Sequence, residues 1–455
     1  MRTTPFPFTA LYITILSGAH VVTSNDNGLA ITPPLGWRSW NQYGRNVSQK
    51  LMESIMDGMV ERTRLDHAGL ATSLCDLGYC DVGLDDFWQA CDSPSAAPGM
   101  HYHDIEGNPI VNLTIFPSLK SMTDHAHSLN LTAGFYGNNC ICRDHCRNKT
   151  ECDMQTRADI KAFLGWGFDS WKLDGCGGEN DLALFDKYLR EMAPDKPIMV
   201  ENCHWGAKKY DPNPNLPPQE GCPYNFYRTS GDIQLSYGSV LYNLASVEQY
   251  RAMNASYPGC WAYPDMLQVG IRRKDDGIIG LSEAETRTHF GGWCIVSSPL
   301  MLGYDVNDEE VNDFIWDIVS NKEAIAVNQA YVGDSGGVYE NSTSMVCVDE
   351  EKCNNPFSST STGRNLEALA LVTVPSYRYM SKRLGIGKVA VLLMNSATEA
   401  TTMTAKFTDI PGLSCDNNEY SLRNIWTHSD EGNFRGSWST VVEGHDSSFI
   451  VVECV

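Results

Sequence analysis

Lys172 and Asp174 stand two residues apart in the run Trp171-Lys172-Leu173-Asp174-Gly175-Cys176, and side chains two apart on a β-strand share a face. A lysine beside a carboxylate favours its ionised form. An ionised carboxylate ending a buried strand has what a nucleophile needs, although a structural ion pair would carry the same residues. A second carboxylate, Asp232 in Tyr227-Arg228-Thr229-Ser230-Gly231-Asp232-Ile233, follows a glycine that lets backbone approach closely. With Asp174 ionised nearby, like-charge repulsion raises the pKa of Asp232, as a proton donor requires. Two carboxyls in those states can open a glycosidic bond. A separation of about 5–5.5 Å gives retention and about 6.5–9.5 Å gives inversion; sequence does not supply that distance.

The elements that must hold these groups alternate. Between residues 31 and 305, short apolar runs predict strands at Leu35–Trp40, Tyr79–Asp85, Thr132–Tyr136, Ser170–Asp174, Ile198–Glu201, Phe226–Thr229, Trp261–Met266 and Pro299–Gly303. Amphipathic stretches such as Arg157–Trp166, Leu182–Met192 and Glu283–Val296 separate them, and the Met-rich 52–59 segment reads as a helix packed on the outside. Eight strands alternating with helices predict a (β/α)8 TIM barrel. Beyond the Gly-rich break at 333–337 come strand-like runs at Glu367–Val374, Lys388–Met394, Thr401–Phe407, Tyr420–Trp426, Ser437–Val442 and Ser447–Val452. They predict a C-terminal antiparallel β-sandwich domain. The proline-rich segment 211–221 predicts an exposed loop between the fifth and sixth barrel strands.

A (β/α)8 barrel carries its site at the C-terminal ends of its strands. Those ends bring Trp37, then Asp85 with Asp86, Tyr136, Lys172 with Asp174, His204, Arg228 with Asp232, and Asp265. Carboxylates and arginine grip sugar hydroxyls, and aromatic faces stack on the C–H side of a pyranose ring. The set reads as a carbohydrate site. His101, His103, His125 and His127 read as surface or helix residues rather than ligands.

Composition agrees. A chain of 455 residues is too long for one ordinary domain, and its formal charge of −22 argues against nucleic acid. Arg2 followed by the apolar-to-neutral run 6–22 and Val22-Thr23-Ser24 reads as a signal peptide over 1–24, not a membrane span. The domains then run 25–330 for the barrel and 331–455 for the sandwich. Sixteen cysteines and sequons at Asn46, Asn112, Asn130, Asn148, Asn254 and Asn341 fit a disulfide-bonded glycoprotein of the secretory route, either secreted or delivered to a lysosome or vacuole. Cys140, Cys142, Cys146 and Cys152 with His145 match no common zinc spacing. A metal site is not expected there.

Nine motifs then carry a resemblance. Thr32-Pro33-Pro34-Leu35-Gly36-Trp37-Arg38-Ser39-Trp40-Asn41 is similar to the opening TPPMGWNSWN of the α-galactosidase / α-N-acetylgalactosaminidase family, glycoside hydrolase family 27 of clan D. Leu84-Asp85-Asp86-Phe87-Trp88, Asp104-Ile105-Glu106-Gly107, Phe116-Pro117-Ser118-Leu119-Lys120 and Ala133-Gly134-Phe135-Tyr136 follow in the family's order. So do the runs from Lys172 to Cys176, from Arg228 to Ile233, Pro264-Asp265-Met266-Leu267 and Ser298-Pro299-Leu300. The resemblance implies a retaining exo-glycosidase with Asp174 as nucleophile and Asp232 as acid/base. Asp85 and Asp86 would hold the 4- and 6-hydroxyls of a galacto-configured sugar, and Lys172 the 3- and 4-hydroxyls. Arg228 would lie near the 2-position, with Trp37, Tyr136 and Asp265 lining the pocket. It also implies disulfides from Cys176 to Cys140 or Cys142, and from Cys203 to Cys222. The expected partners are α-galactoside-containing oligosaccharides, glycolipids or glycoproteins, and the resemblance leaves room for a homodimer.

The chain departs from the family where the fifth strand ends. Cys203-His204-Trp205 stands in place of Cys-Glu-Trp, Ala207 occupies a position that is bulky in many galactosidases, and Ala262-Tyr263 replaces Asn-Asp. The 2-subsite should be roomier or less acidic, so that an α-N-acetylgalactosaminidase, or a family member acting on another galacto-configured glycoside, is the alternative within the enzyme class. A catalytically weak glycan-binding protein is the alternative outside it.

Overall fold

The computed structural model describes residues 27–137, 140–144, 146–175, 182–203, 222–349, 353 and 373–455. Eight strands run parallel: β1 Leu35–Arg38, β2 Asp81–Gly83, β3 Thr132–Gly137, β4 Ser170–Asp174, β5 Met199–Cys203, β6 Phe226–Arg228, β7 Trp261–Tyr263 and β8 Leu300–Leu302. Their order is β8-β1-β2-β3-β4-β5-β6-β7. Between β7 and β8 the sheet is joined through Leu267, whose N–H donates to Met301 O at 2.8 Å. Phe226, Trp261, Tyr263, Met266 and Met301 pack together at this seam. All eight predicted strands exist, and the whole set is parallel, as (β/α)8 alternation demands.

Helices Gln49–Val60, Lys149–Trp166, Leu182–Met192 and Glu283–Ile295 follow the predicted stretches, and Leu119–Ser128 is a further helix that the sequence expectations do not name. The Met-rich helix buries Met52, Met56 and Met59 completely. Ser48, Ser118, Asn148 and Ser282 each cap a helix through the side chain, and Ser282 with Glu285 forms a full capping box.

Two glycines inside the barrel are dictated by one arginine. Arg38 is 4% exposed and its Nη2 pairs with Asp81 at 2.7 Å. A Cβ on Gly83 would lie 2.4 Å from Arg38 Cδ, and one on Gly134 would lie 2.8 Å from the Gly83 Cα. Only glycine leaves space there for the guanidinium.

The C-terminal unit has a six-stranded antiparallel sheet in the order Gly337–Asn341, Tyr377–Gly385, Lys388–Asn395, Ser447–Cys454, Tyr420–Asn424, Ser429–Phe434. Against it lies the pair Thr401–Lys406 and Ser437–Val442. The strand Lys388–Asn395 divides its residues between two cores. Val389, Val391 and Leu393 join Met403, Phe407 and Trp438 inside the sandwich. Ala390, Leu392 and Met394 face the barrel core, where the sheet meets helix Glu283–Ile295. A strand buried on both faces reads as a continuous apolar run.

Three strands of this sheet, Gly337–Asn341, Tyr377–Gly385 and Ser429–Phe434, have no counterpart in the sequence expectations. Tyr377–Gly385 is masked by its cations: Arg378 and Lys382 are both buried. Lys382 faces the barrel, donates to Asn328 O at 2.8 Å, and is pulled by burial down to about 7. The predicted strand Glu367–Val374 falls outside the described residues except for its end, which pairs within Thr373–Pro375. The loop 211–221 and the signal-peptide segment also lie outside them. Polar clamps join the two units: Arg287 to Asp446, Arg251 to Asp334, and Arg423 with His428 to Glu323.

Candidate active site

A cavity of about 670 Å³ opens at the C-terminal ends of the barrel strands. That is within the range of small-ligand sites. Asp85, Asp86, Tyr136, Lys172, Asp174, Arg228, Asp232 and Asp265 all line it. These residues come from five different strand ends, and only the closed parallel sheet brings them together.

Asp174 ends β4. Its Oδ2 accepts from the Tyr136 hydroxyl at 2.8 Å and its Oδ1 from the Gly175 N–H at 2.7 Å. Tyr136 is itself fixed, because the Trp88 indole N–H donates to its carbonyl at 3.1 Å. Lys172 shares the face of Asp174, yet its ammonium ion-pairs with Asp85 Oδ2 at 2.7 Å, and it lies 5.5 Å from the centre of the Tyr136 ring. The Lys172–Asp174 pair read from the sequence is therefore a neighbourhood, and the contact belongs to Asp85. A four-carbon stem reaches across to β2, where the carboxylate is 3% exposed.

Asp85 and Asp86 are held differently. Asp85 Oδ1 accepts the Asp86 N–H at 2.8 Å, whereas Asp86 accepts from the N–H groups of Phe87 and Ile141. Burial pushes the Asp86 carboxyl up to about 7, partly offset by the Phe87 N–H and reinforced by Asp85. Adjacent buried carboxylates are tolerated where partners compensate them. Here one has the lysine and the other has backbone amides.

On the opposite wall the buried Arg228 reaches two carboxylates through Nη2, Asp265 Oδ2 at 2.6 Å and Asp232 Oδ1 at 3.1 Å. Asp265 has φ of 124°, outside the usual range for a side chain with a Cβ. It is fixed there by N–H donors from Ile233 and Met266 and by the Trp293 indole on its carbonyl. Strained backbone held this tightly is typical of functional sites. The Asp232 side chain is 75% exposed and stands at the mouth.

Trp37 is not in the pocket. It is fully buried and its indole N–H donates to Tyr304 O at 2.8 Å. The tryptophan that lines the cavity is Trp40, 37% exposed, with Asn41 beside it. Sequence reasoning chose the wrong tryptophan of Trp37-Arg38-Ser39-Trp40, because only the turn after β1 decides which ring faces out. It also missed the outer wall at Arg272–Asp275, a hairpin tied back by Arg272 to Asp308 and Glu310. His204 and Ala207 lie outside the described residues.

The expected disulfides need correction. Cys222 bonds to Cys260, not to Cys203. Cys222 and Cys260 both precede their strands, β6 and β7, whereas Cys203 ends β5 at the opposite rim. Cysteines whose Cα atoms lie more than about 7 Å apart cannot be bridged. Cys203 keeps its thiol, 3.5 Å from Arg228 Nη1. Cys142 bonds to Cys91, which removes it as a partner for Cys176. Cys140 is in a disulfide, and Cys176 lies outside the described residues. His103 is not a surface residue either: it is buried between Asp144 at 3.0 Å and Asp159 at 3.1 Å. Burial pulls its pKa down, but the two carboxylates outweigh that and raise it to about 9.

Beneath the pocket sits a carboxyl that the sequence reading did not single out. Glu201 pairs in register with Lys172, is 3% exposed, and its Oε2 has no hydrogen-bond partner among the described residues. Arg38 Nε stands 4.0 Å away. Burial pushes Glu201 from its ordinary 4.5 up to about 7, against the pull of Lys172, Arg38 and Arg228. Between those two pH values the folded chain holds a proton that the unfolded chain has released, so stability falls as pH rises through the window. Glu201→Gln should remove that contribution. Thermal midpoints from pH 4.5 to 7.5 should fall less steeply in the variant than in the wild type; parallel curves would contradict it.

A parallel eight-stranded barrel with a carboxylate-lined cavity at the strand C-termini, followed by a β-sandwich, is the architecture of an O-glycoside hydrolase. The family model described as alpha galactosidase A matches residues 32–330, and that of the alpha galactosidase C-terminal beta sandwich domain matches 375–452. The chain belongs to the alpha galactosidase A family. An α-galactosidase of Coffea arabica is 30% identical over 435 residues, covering 94% of this chain and 95% of that one. An α-N-acetylgalactosaminidase of Gallus gallus is 28% identical, covering 68% and 73%. The solved structure of an α-galactosidase from Saccharomyces cerevisiae superposes with a TM-score of 0.70 at 18% identity, covering 95% of this chain and all of that one. At that identity the likeness concerns the fold.

Proposed function

We propose that the protein removes terminal α-linked galactose from glycans by a retaining double displacement. The observation that carries this reading is the arrangement around Asp174. Its carboxylate is oriented by Tyr136 and Gly175, while Asp232 projects from the other wall on Arg228. In the first step Asp174 attacks the anomeric carbon, the bond to the leaving oxygen breaks, and that oxygen takes the proton of Asp232. In the second, Asp232 accepts a proton from water as the water displaces Asp174, and galactose leaves with its α configuration. Asp85, Asp86 and Lys172 form a polar corner suited to the 3-, 4- and 6-hydroxyls of a galacto-configured ring. The reading calls on no metal and no organic cofactor.

The disulfides fit an oxidising compartment. Five of the six sequon asparagines are exposed and Asn112 is half-buried. Both support the secretory route expected from the sequence.

A panel of nitrophenyl glycosides tests the substrate. The α-galactoside should be turned over with the highest kcat/KM. Faster hydrolysis of the 2-acetamido-2-deoxy-α-galactoside would favour the second reading, α-N-acetylgalactosaminidase, which His204 and Ala207 motivate. No turnover of any would overturn the assignment in favour of a glycan-binding protein.

A further inference from the structure

Where the edge of the six-stranded sheet meets the strand Thr401–Lys406, a separate cleft of about 280 Å³ is lined by Tyr339, Tyr377 and Tyr379, by Thr401, Thr402 and Thr404, and by Glu340, Lys406 and Asp409. The three rings cluster: Tyr377 and Tyr379 have centroids 5.3 Å apart at 64°, and Tyr339 and Tyr379 lie 6.0 Å apart at 34°. Their jobs differ. Tyr379 belongs to the sandwich core, and its hydroxyl accepts the Thr404 N–H at 3.1 Å. The hydroxyls of Tyr339 and Tyr377 make no hydrogen bond among the described residues, and both rings are half-buried.

The backbone is shaped to present one of them. In the pairing of Gly337–Asn341 with Tyr377–Gly385, Val338 faces Met380 and Glu340 faces Tyr379, so Tyr339 is the extra residue of a bulge. Bulges on edge strands re-aim a side chain and are common beside binding sites. Core packing alone would call for no such insertion. The cleft's chemistry is also selective. Aromatic rings offer faces to C–H groups, while phenol and threonine hydroxyls offer donors and acceptors. Glu340 and Asp409 against a single Lys406 disfavour an anion. No group of three His, Cys, Asp or Glu able to hold a metal occurs among the described residues.

We propose that this cleft is a second carbohydrate-binding site, which takes a neutral pyranose unit of a glycan chain and holds the polymer near the barrel. It stands apart from the galactoside reading of the barrel pocket, because binding is measured without turnover.

The test is affinity electrophoresis of the full chain through gels containing a galactosylated β-mannan, or the same mannan stripped of galactose. Asp174→Asn should be retarded in both gels. Adding Tyr339→Ala and Tyr377→Ala should weaken retardation about tenfold in apparent Kd and abolish it in the stripped polymer. In an otherwise wild-type chain the two tyrosine substitutions should leave kcat and KM on nitrophenyl α-galactoside unchanged, which also shows that the variant is folded. Tyr339→Phe with Tyr377→Phe keeps the packing and should give an intermediate loss. Equal mobility of the Asp174→Asn chain with and without the alanines, or no retardation in the stripped polymer, would overturn the proposal. Retardation in both gels by a wild-type chain that turns over no galactoside would leave this site standing and the catalytic reading fallen.

Discussion

Asp174→Asn should lower turnover of nitrophenyl α-galactoside by at least on the order of 10⁴-fold, while galactose affinity changes only a few-fold. The substitution is nearly isosteric. The amide oxygen can still accept the Gly175 N–H, and the amide N–H2 can donate to the Tyr136 hydroxyl oxygen, which now donates to the carboxylate. What is lost is the nucleophile itself. A small anion can take its place in Asp174→Gly, where azide should restore turnover and leave β-galactosyl azide as the product. A structural role would predict the opposite pattern: lowered thermal stability, no rescue by azide, and a loss of affinity matching the loss of rate.

Asp232→Asn should produce a loss that depends on the leaving group. With a sugar or alkyl aglycone, kcat/KM should fall by about 10²–10⁴-fold, since the leaving oxygen must be protonated as the bond breaks. With a dinitrophenyl aglycone the first step needs no acid, so the fall should be small and the second step should become limiting. Azide then attacks the galactosyl-enzyme and should yield the α-azide, opposite in configuration to the product from Asp174→Gly. Arg228 should remain in place, because its contact with Asp265 is shorter and more buried than its contact with Asp232. An equal loss on both aglycones would place Asp232 in binding rather than in proton transfer.

Much of the barrel and its site could be read from the residues. Ser170–Asp174 and the runs around it alternate cleanly, and the chemistry-bearing residues fall at strand ends, where a parallel barrel must gather them. The strand Lys388–Asn395 was legible for a different reason: burial on both faces makes it apolar throughout. Its neighbour Tyr377–Gly385 was not, because Lys382 and Arg378 are buried cations whose acceptors come from distant backbone. Ser429–Phe434 is a polar edge strand held by its partner and shows no period of its own.

The misreadings inside the site share a cause. Whether Trp37 or Trp40 meets the cavity depends on a turn, and whether Lys172 pairs with Asp174 or Asp85 depends on which strand its stem can reach. Cys222 joins Cys260 because both sit at one rim of the barrel, a fact of topology that spacing along the chain does not carry. Glu201 was invisible for the same reason: Lys172, Arg38 and Arg228 reach it from three other strands.

The central claim is that Asp174 forms a covalent bond to the sugar, and trapping that bond tests it most directly. The wild-type chain is incubated with a fluorinated α-galactosyl substrate whose galactosyl-enzyme hydrolyses slowly, then digested and analysed by mass spectrometry. A fluorogalactosyl adduct on the peptide carrying Asp174, absent from Asp174→Asn, is the predicted result. An adduct on a different carboxylate, or no adduct together with β-galactose as the first product seen by NMR, would contradict it.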